Sequence, residues 1–227
     1  RCVLGVGACA AESRYESRCP KKTRWTQPSP SPPASARTQQ LLVPSDGMGM
    51  TALFLLAAGE GPKPTLLLLH GLPGNEQNLD LAQAVRRAGW NVLTLHYRGS
   101  WGSPGTFSIA NVLEDTDAAV AFLRSPGVAE RYNINLDRLV IGGHSLGGFA
   151  AAMHAKDDSH LLGVVLLDPA DIGTWGETGR KASPEEREAA KADFDDLGNS
   201  LAGADPESLL GEIGRAPAGW SLASAAP

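Results

Sequence analysis

The chain has 227 residues, 42% of them hydrophobic, which is enough for one sizeable core or for one domain with appendages. Residues 1–40 hold seven Lys or Arg and two Glu residues, a charge of +5, so the net charge of −5 leaves −10 for residues 41–227. An acidic body argues against a nucleic-acid surface, and no apolar run approaches the roughly 18 residues that a membrane-spanning helix needs.

The first 40 residues differ in composition from the rest of the chain. They are basic and rich in Pro and Ser, which predicts a disordered segment. All three cysteines lie here, so the body offers neither a disulfide framework nor a thiolate metal site. A short apolar stretch ending in small residues before Cys9 is similar to the end of a bacterial export signal with a lipid-attachment cysteine; an irregular segment without a targeting role is an equal alternative. We therefore expect the protein to be either cytoplasmic or exported.

From Leu41 onwards, apolar runs that suit strands alternate with segments of helical spacing. The predicted strands are residues 51–58, 65–70, 91–97, 138–143 and 161–168, and the predicted helices are residues 79–89, a segment from about Ile109, and residues 147–155. Strands that are apolar throughout and alternate with helices predict a mostly parallel sheet covered on both faces. The sequence thus predicts an α/β core over residues 41–175.

The pattern changes after Asp168, where helices follow without a further strand. The run Ser183-Pro184-Glu185-Glu186 has the form of a capping box and predicts a helix to about Phe194. Its Glu188 and Lys191 are spaced to form a pair on an exposed face. Asp205-Pro206 predicts the start of a second helix. Residues 176–227 are therefore expected to form a helical lid region.

The segment Gly143-His144-Ser145-Leu146-Gly147 joins a predicted strand to a predicted helix. The pattern Gly-x-Ser-x-Gly is frequent by chance, and a glycine-rich turn without a catalytic role is the alternative. Between a strand and a helix, however, it is typical of a nucleophilic serine on a tight bend. The N–H of Leu146, at the start of the helix, is then directed at an anion formed on a substrate held by Ser145.

A second glycine-lined turn, His70-Gly71-Leu72-Pro73-Gly74, directly follows an earlier strand. Such a turn can direct a second backbone N–H, that of Leu72, at the same oxyanion. Two donors of this kind stabilise an acyl-transfer transition state by several kcal/mol, of which about 3 kcal/mol is lost with one donor. We interpret His70 as a structural histidine that holds the turn.

This order of strands, HGLPG turn, YRGSWGSPG loop and GHSLGG turn resembles the α/β-hydrolase superfamily, in particular its prolyl-oligopeptidase-like and dienelactone-hydrolase-like members. The resemblance covers residues 41–175. It implies a serine hydrolase that cleaves a small-molecule ester or a peptide through an acyl-enzyme, without metal or cofactor. It implies Ser145 as nucleophile, Leu72 and Leu146 as oxyanion donors, and His144 as a packing residue directed away from the hydroxyl.

The chain also departs from the order of catalytic residues in that family, which is serine, then acid, then histidine. Only His154 and His160 follow Ser145, and both precede every candidate acid. The sequence therefore predicts that the last two strands of the fold are missing, with the usual acid and base. Asp168 is a candidate acid at the correct edge of the sheet; a capping or lid-bonding role is the alternative. The competing hypothesis for function is a truncated or degenerate hydrolase that is inactive or acts as a binding module.

The YRGSWGSPG loop is similar to the arginine–glycine loop of serine peptidases in this superfamily, several of which place an oxyanion-binding tyrosine nearby. Trp101, in the comparable region, offers only an indole N–H, which weakens the peptidase interpretation without excluding it. Tyr97 and Arg98 are interpreted as residues that hold the loop. His154 and His160 are six residues apart and therefore lack the spacing of zinc ligands. The sequence does not indicate an oligomeric state.

Overall fold

The computed structural model describes residues 34–74, 77–192, 194 and 200–225. The predictions for residues 1–33, including the export signal and the lipid-attachment site at Cys9, lie outside this part of the chain. No described helix is long and apolar enough to cross a membrane.

Six strands form one mixed sheet. They are β1 (Arg37–Ser45), β2 (Met48–Leu56), β3 (Lys63–Leu69), β4 (Asn91–Leu95), β5 (Ile134–Ser145) and β6 (Gly163–Pro169). Their spatial order is β1-β2-β4-β3-β5-β6. Four neighbouring strands are parallel, namely β4, β3, β5 and β6. Strand β2 runs antiparallel to both β1 and β4. The predicted α/β class with a mostly parallel sheet is confirmed.

Helices cover both faces of the sheet. They are α1 (Leu79–Arg87), α2 (Ile109–Arg124), α3 (Pro126–Arg131), α4 (Leu146–Ala155), α5 (Ile172–Lys181), α6 (Pro184–Ala192) and α7 (Pro206–Gly214), and two short 3-10 turns follow. Alternate residues of β3 point to opposite faces: Leu66 packs towards α1, and Leu67 packs towards α2 and α4. Because both faces bury apolar side chains, the central strands show no polar alternation.

Strand β1 was not predicted, and it places residues 37–40 in the folded body rather than in the N-terminal segment. The first half of β1 is polar because it lies at an exposed sheet edge. It pairs with β2 through a tight turn at Asp46 and Gly47, both of which have positive φ. An Asp-Gly pair is a strong hairpin signal, so β1 could have been predicted from this pair.

Helix α5 was also missed, because Gly173, Gly176 and Gly179 give it poor intrinsic helix propensity. Tertiary packing stabilises it instead. A Cβ atom on Gly176 would lie 2.3 Å from the carbonyl oxygen of Ile213, so α5 and α7 cross at a distance that only glycine allows.

The capping predictions for the later helices are confirmed. The Ser183 hydroxyl accepts the N–H of Glu186 at 3.2 Å, and the Glu186 carboxylate accepts the N–H of Ser183 at 2.7 Å. Asp205 and Ser208 form a second reciprocal box at the start of α7. Glu188 and Lys191 lie 3.5 Å apart. Helix α7 is joined to the core by Glu212, whose carboxylate accepts the N–H groups of Ile109 at 2.9 Å and Ala110 at 2.8 Å at the start of α2.

Within the described residues, β6 forms one edge of the sheet and is apolar on both faces. Val164, Val165 and Leu166, together with Leu162 just before the strand, retain between 39% and 54% of their accessible surface. An exposed apolar edge strand offers unpaired backbone groups and hydrophobic side chains to a second chain, which promotes self-association.

We therefore expect Val165→Lys to reduce self-association, because a charge on the edge strand opposes pairing with another β6 strand. Static light scattering over a concentration series would show a smaller rise in apparent mass than in the wild type. Thr38→Lys, on the exposed and already polar outer edge β1, is the matched control and should leave the scattering unchanged. Equal scattering from wild type and Val165→Lys would show that β6 does not drive association.

Candidate active site

The ends of three neighbouring strands place the candidate residues together. Strands β3, β5 and β6 are parallel neighbours and end at Leu69, Ser145 and Pro169. From β3 the chain continues through α1 to β4 on one side, while β5 lies on the other side. Ligands in open α/β sheets bind at such a change of direction, outside the carboxyl ends of the strands.

Ser145 lies at the junction of β5 and α4 with φ 52° and ψ −118°. This left-handed φ is unfavourable for a residue with a side chain and is typical of strained functional positions. The glycines two residues to either side make the bend sterically feasible. A Cβ atom on Gly147 would lie 2.4 Å from the carbonyl oxygen of Leu69, and one on Gly143 would lie 2.5 Å from the Gly147 carbonyl carbon. The sequence therefore folds here into a sharp turn that leaves Ser145 half-buried.

The turn after β3 passes directly beside Ser145. A Cβ atom on Gly71 would lie 2.9 Å from the Cβ of Ser145, so only glycine fits there, and Leu72 is the next residue. Leu146 is the first residue of α4, and its N–H therefore has no acceptor within the helix. Both candidate oxyanion donors therefore lie close to the serine. Leu146 directly follows Ser145, and Leu72 directly follows Gly71, which is in contact with Ser145.

His70 holds the turn after β3. Its Nδ1 lies 2.7 Å from the carbonyl oxygen of Gly71, which only accepts, so Nδ1 carries the proton. The ring fills the space that a Cβ on Gly74 would occupy, and the Tyr97 hydroxyl donates to the His70 carbonyl at 3.1 Å. Burial lowers the pKa of His70 to about 4. The hydrogen bond to Gly71 opposes this shift by raising the pKa, and the electrostatic effect of His96 adds to it by lowering the pKa. The interpretation of His70 as a structural histidine is confirmed.

The lowered pKa of His70 makes the stability of the fold depend on pH. The unfolded chain takes up a proton on this histidine near pH 6.5, whereas the folded chain does so only near pH 4. The stabilisation that comes from keeping His70 neutral is fully present above pH 6.5 and is lost as the pH falls towards 4. The free energy of unfolding then decreases by up to about 3 kcal/mol. Asparagine at this position keeps a donor for Gly71 and does not titrate. We expect urea unfolding of His70→Asn to depend less on pH between 6.5 and 4 than that of the wild type.

The matched control for this pH series is His160→Asn, because His160 is exposed. It should keep the pH dependence of the wild type. An unchanged slope in His70→Asn would show that His70 is not held neutral by burial.

His144 does not have the packing role that the resemblance implied. Its side chain is exposed and its Nδ1 lies beside Gly71, 3.3 Å from the position that a Cβ there would occupy. His144 pairs with Leu167 near the end of β6, the strand at the exposed edge of the described sheet.

His154 lies between two carboxylates, away from the serine. Its Nδ1 is 2.6 Å from Asp117 and its Nε2 is 3.0 Å from Asp158. His154 lies nine positions after Ser145, about 13 Å along the axis of α4. Burial raises the pKa of Asp158, but hydrogen bonds from Arg124, from the His160 N–H and from His154 outweigh burial and lower it to about 2. This network links α2 to the end of α4 and does not include Ser145.

Asp168 lies at the end of β6 next to Ser145. It has φ 44° and falls where the pairing register of β5 and β6 shifts, between His144 and Ser145. Its side chain is exposed and makes no hydrogen bond or ion pair with a described residue. The structure thus places Asp168 beside the serine but gives it no histidine partner in the described part of the chain. Those same residues contain no cluster of three metal-ligating side chains.

The loop after β4 is held by Tyr97 and Arg98, as expected. Besides the Tyr97 contact with His70, the Arg98 guanidinium bonds Asp115 at 2.6 Å, Glu114 at 2.7 Å and Asp46 at 3.1 Å. The indole N–H of Trp101 donates to the carbonyl oxygen of Pro73 at 2.6 Å. Sequence reasoning found the indole donor but not its acceptor, which lies 28 residues away.

Comparisons with known proteins agree with this architecture. Residues 64–224 match the family model described as alpha/beta hydrolase fold. The alpha/beta hydrolase domain-containing protein WAV2 of Arabidopsis thaliana is 30% identical over 126 residues, which cover 55% of this chain and 39% of that protein. The sn-1-specific diacylglycerol lipase ABHD11 of Xenopus tropicalis is 31% identical over 124 residues, which cover 53% of this chain and 36% of that protein.

The esterase of Pyrobaculum calidifontis resembles the chain in structure, with a TM-score of 0.55 at 18% identity over 76% of this chain and 58% of that chain. The strand order, the strained serine and the family match define an α/β hydrolase. The chain belongs to the α/β-hydrolase family. It spans less than two fifths of the length of the two sequence relatives.

Proposed function

We propose that this chain is a serine hydrolase that cleaves a carboxylic ester or amide through an acyl-enzyme on Ser145. The observation that carries the proposal is the backbone of Ser145, held at φ 52° between glycines that admit no side chain. A strained serine at a strand–helix junction exposes its hydroxyl at the end of the sheet where substrates bind.

In the proposed reaction, Ser145 Oγ forms a bond to the carbonyl carbon of the substrate. The carbonyl oxygen becomes an oxyanion that accepts hydrogen bonds from the N–H groups of Leu72 and Leu146. Collapse of this intermediate breaks the bond to the leaving alcohol or amine, and water then releases the acid and restores Ser145. The proton of Ser145 passes to a base and from there to the leaving group.

Among the described residues no histidine hydrogen-bonds Ser145, and His154 is bound to Asp117 and Asp158. Asp168 is proposed as the acid that orients a base at this site, because it ends the strand next to Ser145 and has no described partner. The histidine itself is not assigned to a described residue.

An ester is the favoured substrate. Two of the similar proteins are named as a lipase and an esterase. Trp101 donates its only N–H to Pro73, so it supplies no oxyanion donor of the kind that the resemblance to peptidases implied.

A burst experiment tests the acyl-enzyme directly. Mixing the chain with p-nitrophenyl acetate should release nitrophenol in a rapid phase equal to the enzyme concentration, followed by slow turnover. The corresponding p-nitroanilide should react more slowly if the enzyme is an esterase and comparably if it is an amidase. No release above the buffer rate from folded protein would contradict the proposal.

The alternative is an α/β-hydrolase fold that binds a ligand without turning it over. The observation that favours it is the missing contact between Ser145 and any described histidine, since losing a member of the catalytic triad costs about 10⁴-fold or more in rate. Saturable binding of an ester analogue without a burst would support the binding function.

A further inference from the structure

Trp101 forms a contact between two loops at the candidate site. It is 41% exposed and makes a 2.6 Å hydrogen bond through its indole N–H. Its acceptor, the Pro73 carbonyl, directly follows Leu72, whose N–H is a proposed oxyanion donor. The bond is therefore one residue away from the group whose direction matters for the reaction.

The loop that carries Trp101 is itself held rigidly. Trp101 has φ 43°, within a tight turn in which the N–H of Ser103 donates to Ser100 at 2.9 Å. The Ser103 hydroxyl donates to the carbonyl of His96 at 2.7 Å and accepts the N–H of Thr51 at 2.9 Å. The loop that carries the indole is thus bonded to β2 and to the residue that follows β4.

The same loop is bound to the segment that precedes α7. The N–H of Ala202 donates to the carbonyl of Gly99 at 2.6 Å, and the N–H of Phe107 donates to the carbonyl of Ala202 at 2.9 Å. Contacts therefore run from residue 202 through Gly99 and Trp101 to Pro73. The buried His70 ring bonds this turn at Gly71, and the exposed Trp101 indole bonds it at Pro73.

We propose that Trp101 is a positioning residue that fixes the direction of the Leu72 N–H by holding the Pro73 carbonyl. The inference rests on the proposed function for its catalytic consequence, but the restraint itself does not. A backbone donor stabilises an oxyanion only when its direction is set before the reaction, and small misplacements at such a site cost large factors in rate.

The test uses Trp101→Phe, which removes the donor and keeps an aromatic ring. Trp90→Phe is the matched control, because Trp90 precedes β4 at the opposite end of the sheet. Amide hydrogen exchange of the peptide containing Gly71, Leu72 and Gly74 is expected to be at least about tenfold faster in Trp101→Phe and unchanged in Trp90→Phe. Unchanged exchange in Trp101→Phe would overturn the inference whether or not Ser145 reacts.

The second measurement is the rate of fluorophosphonate labelling as a function of probe concentration. The limiting rate is expected to fall at least about tenfold in Trp101→Phe, with the half-saturating concentration unchanged and the thermal midpoint close to that of Trp90→Phe. Faster exchange with wild-type labelling would overturn the positioning role. Absence of labelling in the wild type would overturn the proposed function and, with it, the catalytic part of this inference, while the exchange data would still test the restraint.

Discussion

Replacing Ser145 with alanine is expected to lower ester hydrolysis by about 10⁴-fold or more, to a rate that the backbone donors alone support. The reason is that the covalent route is lost while the oxyanion site, made of the N–H groups of Leu72 and Leu146, is unaffected. Steady-state hydrolysis of p-nitrophenyl acetate measures the change, and circular dichroism shows whether the fold is retained.

His154→Ala is the matched control for this variant. His154 follows Ser145 in the chain but lies between Asp117 and Asp158, so its loss should leave the hydrolytic rate within a small factor of the wild type. A drop in His154→Ala as large as that in Ser145→Ala would mean that His154 reaches the serine and that its described contacts are not those of the active state.

The second large effect is expected from Gly147→Ala. The added methyl group would lie 2.4 Å from the Leu69 carbonyl oxygen and 2.6 Å from that of His70, both of them backbone atoms of a buried strand end. Backbone atoms cannot move aside as a flexible side chain can, so we expect destabilisation by about 3 kcal/mol and a fall in thermal midpoint on the order of 10 °C.

Gly127→Ala provides the comparison. Nothing lies within 4 Å of a Cβ there, and the residue is in helix α3. Alanine should be neutral or stabilising by up to about 1 kcal/mol. A thermal midpoint for Gly147→Ala equal to that of Gly127→Ala would contradict the close packing that we assign to the serine turn.

The parts of the fold that could be predicted from sequence are those with strong local signals. Strand β3 and the second half of β5 are short apolar runs that lead into glycine turns, and Ser145 stands between glycines at a strand–helix junction. The edge strand β1 could not be recognised from hydrophobicity, because an exposed edge tolerates Thr38, Gln39 and Gln40. Helix α5 was not recognised for the opposite reason: its glycines are unfavourable locally, but one of them, Gly176, is required by the close crossing with α7.

The contacts that surround the site were less accessible to sequence reasoning because they join distant residues. Glu212 bonds the start of α2 from more than 100 positions away, and Trp101 bonds Pro73 across 28. His154 illustrates the same limit. The sequence showed that it follows the serine but precedes every candidate acid, and only the folded chain shows Asp117 and Asp158 on its two nitrogens. A residue type with the right chemistry was visible, but its partners were not.

The measurement that tests the central claim most directly is the site of covalent modification by a fluorophosphonate. The intact mass of the treated protein should increase by one adduct, and peptide mapping should place that adduct on Ser145, with no adduct in Ser145→Ala. Unmodified protein that is folded, or an adduct on another residue, would contradict the assignment of Ser145 as an activated nucleophile in this chain.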